Sequence, residues 1–194
     1  MESGFATMRR RHFRRGAVRA AMSPLDIKSL IVDVPDFPKP GIVFKDITPV
    51  LSHPAAFRAA TEQMAEHAAS MRCDGVLAIE SRGFIVGAPL AQLLELPLHL
   101  VRKRGKLPRA AITVRYELEY GFDHLEMHSD AIRRGGRYLI VDDVIATGGT
   151  AAAVASVVAR QGATVAACLF LIELKFLGGR DKLAGLPVKS LITY

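Results

Sequence analysis

Short apolar runs alternate with longer amphipathic stretches along most of the chain. The runs are rich in Val, Leu and Ile, as are strands that a parallel sheet buries on both faces, and the longer stretches carry apolar residues at helical spacing. This pattern predicts strands over residues 75–80, 98–101, 137–143, 164–172 and 186–193, and helices over residues 24–31, 54–71, 84–94 and 149–161. Because strands alternate with helices, we expect an α/β fold in which helices cover both faces of a parallel sheet.

Two segments depart from this alternation. Residues 34–41 hold three prolines, which fix φ and lack the amide donor, so we predict no regular structure there. Residues 103–130 are rich in charges and in β-forming residues, and we expect extended strands that lie outside the alternating units.

The composition is that of a globular domain. With 194 residues, of which 50% are hydrophobic and 23% charged, the chain suits one domain with a sizeable core. No apolar run is long enough to cross a bilayer, so we expect no membrane partner. Cys73 and Cys168 lie far apart without metal-type spacing, which predicts a reducing, cytoplasmic location with both cysteines packed in strands.

The positive charge is concentrated at the start of the chain. Residues 1–21 hold six arginines and one glutamate, a net charge of +5, whereas the remaining chain carries +2 of the total of +7. This segment lacks the apolar region of a secretory signal. It could be an arm drawn to RNA or to a membrane, a targeting sequence, a solvated tail, or residues that precede the true start at Met22. We take residues 1–22 as a basic, disordered extension, place the domain at residues 23–194, and expect no nucleic-acid partner.

The most specific pattern follows the strand predicted at residues 137–143. Two adjacent carboxylates, Asp142 and Asp143, end that strand, and a glycine loop then leads into an Ala- and Val-rich helix. Unpaired amides and a partial positive charge at the helix start suit a phosphate, and the acids can accept hydrogen bonds from ribose hydroxyls or lie near a cation. The loop residues are Ala146, Thr147, Gly148, Gly149 and Thr150.

This glycine loop differs from the common nucleotide-binding loops. It lacks the lysine of a P-loop and the Gly-x-Gly-x-x-Gly of a dinucleotide site. Its glycines let the backbone approach a ligand, and its threonines add hydroxyl donors. The loop therefore favours a phosphorylated sugar, with an ordinary strand-to-helix turn as the alternative.

Two more loops leave strand ends, and in a parallel sheet such ends meet at the ligand site. In Glu80-Ser-Arg-Gly83, Ser81 and Gly83 suit an anion-cradling turn, and Arg82 could reach a substrate. The basic loop, Arg102-Lys-Arg-Gly-Lys106, holds four cations in five residues, which suit a pyrophosphate. Each pattern alone also fits a plain helix cap or a solvated loop.

The segment from Phe37 to Pro49 is stiffened by prolines and carries two aromatic residues. A fixed backbone beside a phenyl ring can stack on a flat base and read the base edge through main-chain groups, a role that we assign to Phe44. For Phe37 we predict a place in the core instead.

Together these motifs resemble those of the type I phosphoribosyltransferases. The two acids followed by Ala-Thr-Gly-Gly-Thr resemble the family signature for phosphoribosyl diphosphate (PRPP). The block at residues 34–49, Glu-Ser-Arg-Gly-Phe, Arg-Lys-Arg-Gly-Lys-Leu-Pro and Leu118-Glu-Tyr-Gly121 occur in one order that is similar to the adenine phosphoribosyltransferase family, over nearly all of residues 24–194. The resemblance implies the parallel-sheet fold of that family, with a small N-terminal hood, a flexible lid loop and a homodimer. It also implies purine salvage, in which PRPP and adenine give AMP and pyrophosphate.

The resemblance also implies roles for the matched residues. Asp142 and Asp143 are assigned to the ribose hydroxyls, residues 146–150 to the 5′-phosphate, and Arg102, Lys103 and Lys106 to pyrophosphate, with Arg82 in the region of pyrophosphate and base. Ser81 is assigned to PRPP without a particular group, and adenine is assigned to Val43, Phe44, Lys45 and Leu174. The catalytic candidates are Arg82, Glu119 and Tyr120, the last two on the lid. Mg²⁺ is implied as a cofactor held mainly by the substrate. Lys45 stands where the family more often has arginine, so backbone contacts are expected there rather than a bidentate side chain.

Two other functions remain open at this point. The first is transfer to another 6-substituted purine such as hypoxanthine or xanthine, against which the block around Phe44 argues. The second is a PRPP-sensing regulator without catalysis. Such a protein would be expected to carry a helix-turn-helix, for which 21 residues of tail are too few, and it would not need Glu119 and Tyr120.

Overall fold

The structure, a computed structural model, describes residues 26–117 and 122–194. It begins with one turn of 3-10 helix at Ile27–Leu30, where Asp26 Oδ1 accepts a hydrogen bond from the backbone N–H of Lys28 at 3.1 Å. Strands β1 (Val32–Pro35) and β2 (Val43–Asp46) then pair antiparallel as a separate ribbon, and the short helix α1 (Thr48–Leu51) follows. This β1–β2 ribbon occupies the part of the chain in which the hood is expected.

A seven-stranded sheet forms the centre of the fold. Its strands are β3 (Gly75–Ile79), β4 (Leu98–Lys103), β5 (Ala111–Glu117), β6 (Phe122–His128), β7 (Arg137–Ile145), β8 (Thr164–Glu173) and β9 (Val188–Thr193). They lie in the order β5-β6-β4-β3-β7-β8-β9. Strands β4, β3, β7, β8 and β9 run parallel, whereas β6 pairs antiparallel with β4 and β5. The parallel strand ends therefore meet at one edge, where ligands bind in sheets of this kind.

Helices pack on both faces of the sheet. They are α2 (Pro54–Ala68) and α3 (Arg82–Leu94) on one face and α4 (Gly149–Arg160) on the other. Side chains alternate along β7, so Leu139 and Val141 pack with α2 and α3 while Tyr138 and Ile140 pack with α4. Burial on both faces explains the near-continuous apolar runs of the sequence. The predicted α/β fold with a mainly parallel sheet is confirmed.

Most of the predicted elements are present, but some of their limits differ. The extended excursion at residues 103–130 is confirmed as the β5–β6 hairpin. Strand β7 continues to Ile145 because it pairs with β8 beyond the two acids, so Asp142 and Asp143 lie inside the strand and not at its end. In place of the helix predicted at 24–31, the described part of that segment has only the 3-10 turn.

Three residue-level predictions were wrong. Residues 34–41 are not wholly irregular, because β1 includes Pro35, and an edge strand tolerates a proline without an amide donor. Phe37 is not in the core: 51% of it is exposed and its ring meets Phe44 edge-on at 5.2 Å. Cys168 is buried in β8 as predicted, but Cys73 lies half-buried in the loop before β3. Among the described residues, no helix combines the length and apolar character needed to cross a bilayer.

Candidate active site

An open cavity of about 1160 Å³ lies at the carboxyl ends of β3, β7 and β8. Its wall combines β2 and the loop before it, the turn after β3, the acids of β7, the loop before α4 and the segment after β8. A smaller pocket of about 90 Å³ adjoins it at residues 146–150. The two spaces share Asp142, Val144, Ala146 and Thr147, so they can hold two parts of one ligand.

The two acids lie at the centre of the cavity wall. Asp143 is 4% exposed, and Arg82 Nε lies 2.6 Å from its Oδ2. No residue that the structure describes gives this buried oxygen a hydrogen bond. Asp142 Oδ1 accepts the backbone N–H of Asp143 at 2.9 Å and lies against Gly83, where an added Cβ would be 2.9 Å away. Both carboxyls therefore keep acceptor capacity for the hydroxyls of a sugar.

The environment of the acids is unfavourable to charge. Burial raises the pKa of Asp142 well above its ordinary value of 3.8, and the charge of Asp143 raises it further. Burial also raises the pKa of Asp143, although Arg82 opposes that rise. A buried carboxyl beside a half-buried one destabilises the fold, because each disfavours the charge of the other. Such a pair in a cleft marks a functional site.

The loop at residues 146–150 is held by unusually close backbone packing. Gly148 has φ +74°, and a Cβ there would lie 2.1 Å from the carbonyl oxygen of Gly179. A Cβ on Gly179 would lie 2.1 Å from the carbonyl oxygen of Ala146. Among the residues that the structure describes, no side chain caps the start of α4, so the amides of its first turn are open to an anion. The close packing against Gly179 fixes the backbone of this loop.

The basic loop lies beside this cavity without lining it. Glu80, whose side chain is 8% exposed, pairs through Oε2 with Arg102 Nε at 3.3 Å and through Oε1 with Lys106 Nζ at 2.5 Å. Its Oε2 also accepts the backbone N–H of Lys103 at 2.9 Å. Burial works to raise the pKa of Glu80, but the hydrogen bonds from Lys106 and Lys103 outweigh it and hold the pKa below its usual range. Glu80 thus gathers the cations at the rim, next to Ser81, which does line the cavity.

The apolar end of the larger cavity is the part that does not touch the smaller pocket. Phe44 on β2 and Leu174 after β8 line it. The guanidinium carbon of Arg82 lies 4.9 Å from the centroid of the Phe44 ring, so Arg82 touches both the aromatic end and Asp143. A flat, partly apolar ligand fits between such walls.

Sequence reasoning missed some of the residues that build this site. Phe176 and Leu177 line the apolar end and are 71% and 42% exposed, and Gly179 supports the phosphate loop. The sequence signal that could have revealed Gly179 is the Gly178-Gly179 pair, which follows closely after a buried strand. Glu80 was noted only as part of a motif, although it positions three residues of the basic loop.

Of the predicted site residues, Glu119 and Tyr120 lie outside the described residues. The structure brings together at one cavity the predicted residues Val43, Phe44, Lys45, Ser81, Arg82, Asp142, Asp143, Ala146, Thr147 and Leu174. The smaller pocket adds Gly148 and Thr150 to this set, and Gly149 begins α4 beside them. Glu80 lines the larger cavity and holds Arg102, Lys103 and Lys106 at its rim by hydrogen bonds.

The paired acids and the glycine loop lie at the carboxyl edge of the parallel sheet, which is where sheets of this kind bind ligands. The family described as "Phosphoribosyl transferase domain" matches residues 46–189, and the chain belongs to this family. An adenine phosphoribosyltransferase of Carboxydothermus hydrogenoformans is 54% identical over 170 residues, 88% of this chain and 100% of that protein. One from Synechococcus sp. (strain JA-3-3Ab) is 58% identical over 160 residues, 82% of this chain and 91% of that protein.

Solved structures give the same likeness. The adenine phosphoribosyltransferase of Thermoanaerobacter pseudethanolicus superposes with a TM-score of 0.84 at 49% identity, covering 87% of this chain and 98% of that one. The enzyme of Saccharomyces cerevisiae, solved with an imino-altritol bisphosphate and adenine, has a TM-score of 0.80 at 38% identity, covering 85% and 96%.

Proposed function

We propose that the protein transfers the 5-phosphoribosyl group of PRPP to N9 of adenine, giving AMP and pyrophosphate. The observation that carries this proposal is a pair of adjoining pockets, in which Phe44 and Leu174 line the larger, Gly148 and Thr150 line the smaller, and Asp142 lines both. A base and a phosphorylated ribose can occupy the two pockets at the same time. The names of the relatives favour adenine as the base.

Each part of the site has a task in this reaction. The base stacks on Phe44, with Leu174 on its other face, and the backbone of Val43 to Lys45 reads its edge. Asp142 and Asp143 accept hydrogen bonds from the ribose hydroxyls, and the amides of the phosphate loop hold the 5′-phosphate. These contacts place N9 against C1′ and replace the random encounter of two substrates in water.

The chemistry breaks the bond between C1′ and the pyrophosphate oxygen and forms the bond between N9 and C1′. Pyrophosphate leaves with the electron pair while positive charge develops on the sugar. The cations of the basic loop and Arg82 stabilise the negative charge on the leaving group. Glu119 and Tyr120 remain proposed lid residues that exclude water and handle a proton of the purine.

Mg²⁺ is part of the proposal. The described residues hold no group of three or more His, Cys, Asp or Glu side chains suited to a metal, and the carboxylates that line the cavity are Glu80, Asp142 and Asp143. A hard cation prefers the oxygens of a diphosphate, a ribose and water, which fits this donor set. When bound, it would neutralise charge on the pyrophosphate. We expect EDTA to stop turnover and added Mg²⁺ to restore it.

A homodimer and a cytoplasmic location complete the proposal. Four apolar side chains are exposed on α3 and the neighbouring β4, and exposed apolar patches mark association sites. They are Ile85, Leu93, Leu98 and Leu100. We expect a dimer by analytical ultracentrifugation, and Leu100→Asp should shift it toward monomer. The free thiols of Cys73 and Cys168 fit a reducing compartment.

A panel of purines tests the function directly. The full chain is incubated with PRPP, Mg²⁺ and adenine, hypoxanthine, guanine or xanthine, and the nucleotides are separated by chromatography. We expect AMP and pyrophosphate in equal amounts from adenine only. Product from another purine would reassign the base, and PRPP binding by calorimetry without product from any purine would favour a regulator.

A further inference from the structure

Lys45 lines the cavity, and its ammonium group contacts Asp33 and the ring of Tyr194. Its Nζ lies 2.6 Å from Asp33 Oδ1 and 4.0 Å from the centroid of the Tyr194 ring, and its side chain is 10% exposed. Asp33 is the partner of Lys45 across the β1–β2 ribbon, so the ion pair links the two strands. Lys28 also approaches the ring, at 4.5 Å, and donates to the carbonyl of Thr193 at 2.9 Å.

Tyr194 is itself fixed to the edge of the main sheet. Its backbone N–H donates to the backbone carbonyl of Glu173 at 3.0 Å, and its own carbonyl accepts from the backbone N–H of Lys175 at 2.9 Å. Glu173 and Lys175 flank Leu174, which lines the apolar end of the cavity. The ring therefore stands between the segment that carries Leu174 and the ribbon that carries Phe44.

We propose that Lys45 and Tyr194 are positioning residues that set the distance between Phe44 and Leu174, the two walls of the base site. The ammonium group of Lys45 is nearly buried between the half-exposed carboxylate of Asp33 and the face of the Tyr194 ring, and losing either contact would leave it with fewer partners in a poorly solvated place. The ribbon has only two strands and little core of its own, so it depends on this attachment. The expected change in the KM for adenine rests on the proposed function, whereas the expected attachment of the β1–β2 ribbon does not.

Kinetics provide the first test. Lys45→Met keeps the length of the side chain and removes the charge, and Tyr194→Leu removes the ring. We expect each to raise the KM for adenine about fivefold, the effect of one lost cation–π contact, while the KM for PRPP stays within about twofold. Lys45→Arg and Tyr194→Phe keep the charge and the ring face, so each should raise the KM for adenine less than Lys45→Met and Tyr194→Leu do. Lys189→Met, at an exposed lysine of β9, is the matched control.

Hydrogen exchange on the substrate-free protein provides a second readout that needs no activity. Amides of residues 43–46 should exchange faster in Lys45→Met and Tyr194→Leu, while those of β7 stay unchanged. Failure of the wild type to use adenine would refute the proposed function and leave this readout intact. Wild-type exchange at 43–46 in both variants, or an equal rise of both KM values, would overturn the positioning role. If Lys45→Met fails to fold, the test is the comparison of Tyr194→Leu with Tyr194→Phe, in the KM for adenine and in the exchange of residues 43–46.

Discussion

The two ends of the cavity are built in different ways. At the phosphate end, a glycine loop is pressed against a second glycine, and two acids lie on the central strand β7. The base end lies on a two-stranded ribbon and a short segment after β8, and several of its side chains are exposed. The packed glycine loop leaves no room for an added Cβ, whereas exposed side chains can adjust. Changes at the phosphate end should therefore lower turnover most, and changes at the base end should mainly alter affinity.

The largest effect is expected for Gly148→Ala. The added Cβ would meet the carbonyl of Gly179 at 2.1 Å, so the loop must move, and we expect turnover to fall about a hundredfold or more with a loss of stability of about 3 kcal/mol. Gly135→Ala is the matched control because Gly135 has φ +76° and open space around its Cβ. That control should lose only about 1 kcal/mol from backbone strain. Kinetics and thermal melts measure both variants, and equal losses would show that close packing does not hold the loop.

The acids should give the next largest effect. Asp142→Asn and Asp143→Asn each replace one of the carboxyl oxygens that we propose accept the ribose hydroxyls with an NH2 donor. An unmatched hydrogen bond costs about 2 kcal/mol, so we expect kcat/KM for PRPP to fall about thirtyfold. The KM for adenine should change little, because the base binds at the other end. Steady-state kinetics with each substrate varied in turn measures this difference. Unchanged PRPP kinetics in both variants would remove the acids from the ribose site.

Phe44→Leu should have a smaller effect, on adenine alone. The variant keeps apolar volume but loses the ring face, and a stacked pair is worth about 1 kcal/mol, so we expect the KM for adenine to rise about fivefold. Phe37→Leu is the matched control, since Phe37 only meets Phe44 edge-on and is half exposed. It should change the KM by about twofold at most. A rise in the KM for PRPP in Phe44→Leu would contradict the separation of the two ends.

The same contrast explains what could be predicted from the sequence. The phosphate end was predictable because it is local: strand, acids, glycine loop and helix follow each other along residues 137–161. The contacts that distant segments make with this loop were not predictable, because nothing in the sequence near Gly148 indicates that Gly179 packs against it. Phe37 was misplaced since aromatic character alone does not tell core from rim. Lys45 was assigned to the base by position, and only the fold reveals Asp33 and Tyr194 around its ammonium group.

The smallest expected effect is a gain of stability. Because the pKa of Asp142 is raised in the fold, the native protein holds a proton that the unfolded chain releases above its ordinary pKa of 3.8, and stability falls as the pH rises through that window. Asp142→Asn cannot ionise and keeps the acceptor for the N–H of Asp143, so its melting temperature should exceed that of the wild type at pH 7 and converge with it near pH 4.

Asp130→Asn is the matched control of opposite sign. The hydrogen bond from Arg109 lowers the pKa of Asp130, whose stabilising charge is present at neutral pH and lost as the pH falls. This variant should therefore show no gain at pH 7. Thermal melts between pH 4 and pH 8 compare both variants with the wild type. If Asp142→Asn loses activity but is no more stable than the wild type at pH 7, the prediction is contradicted. That result would mean that the substrate-free fold stabilises the ionised carboxylate of Asp142, as a fixed part of the site.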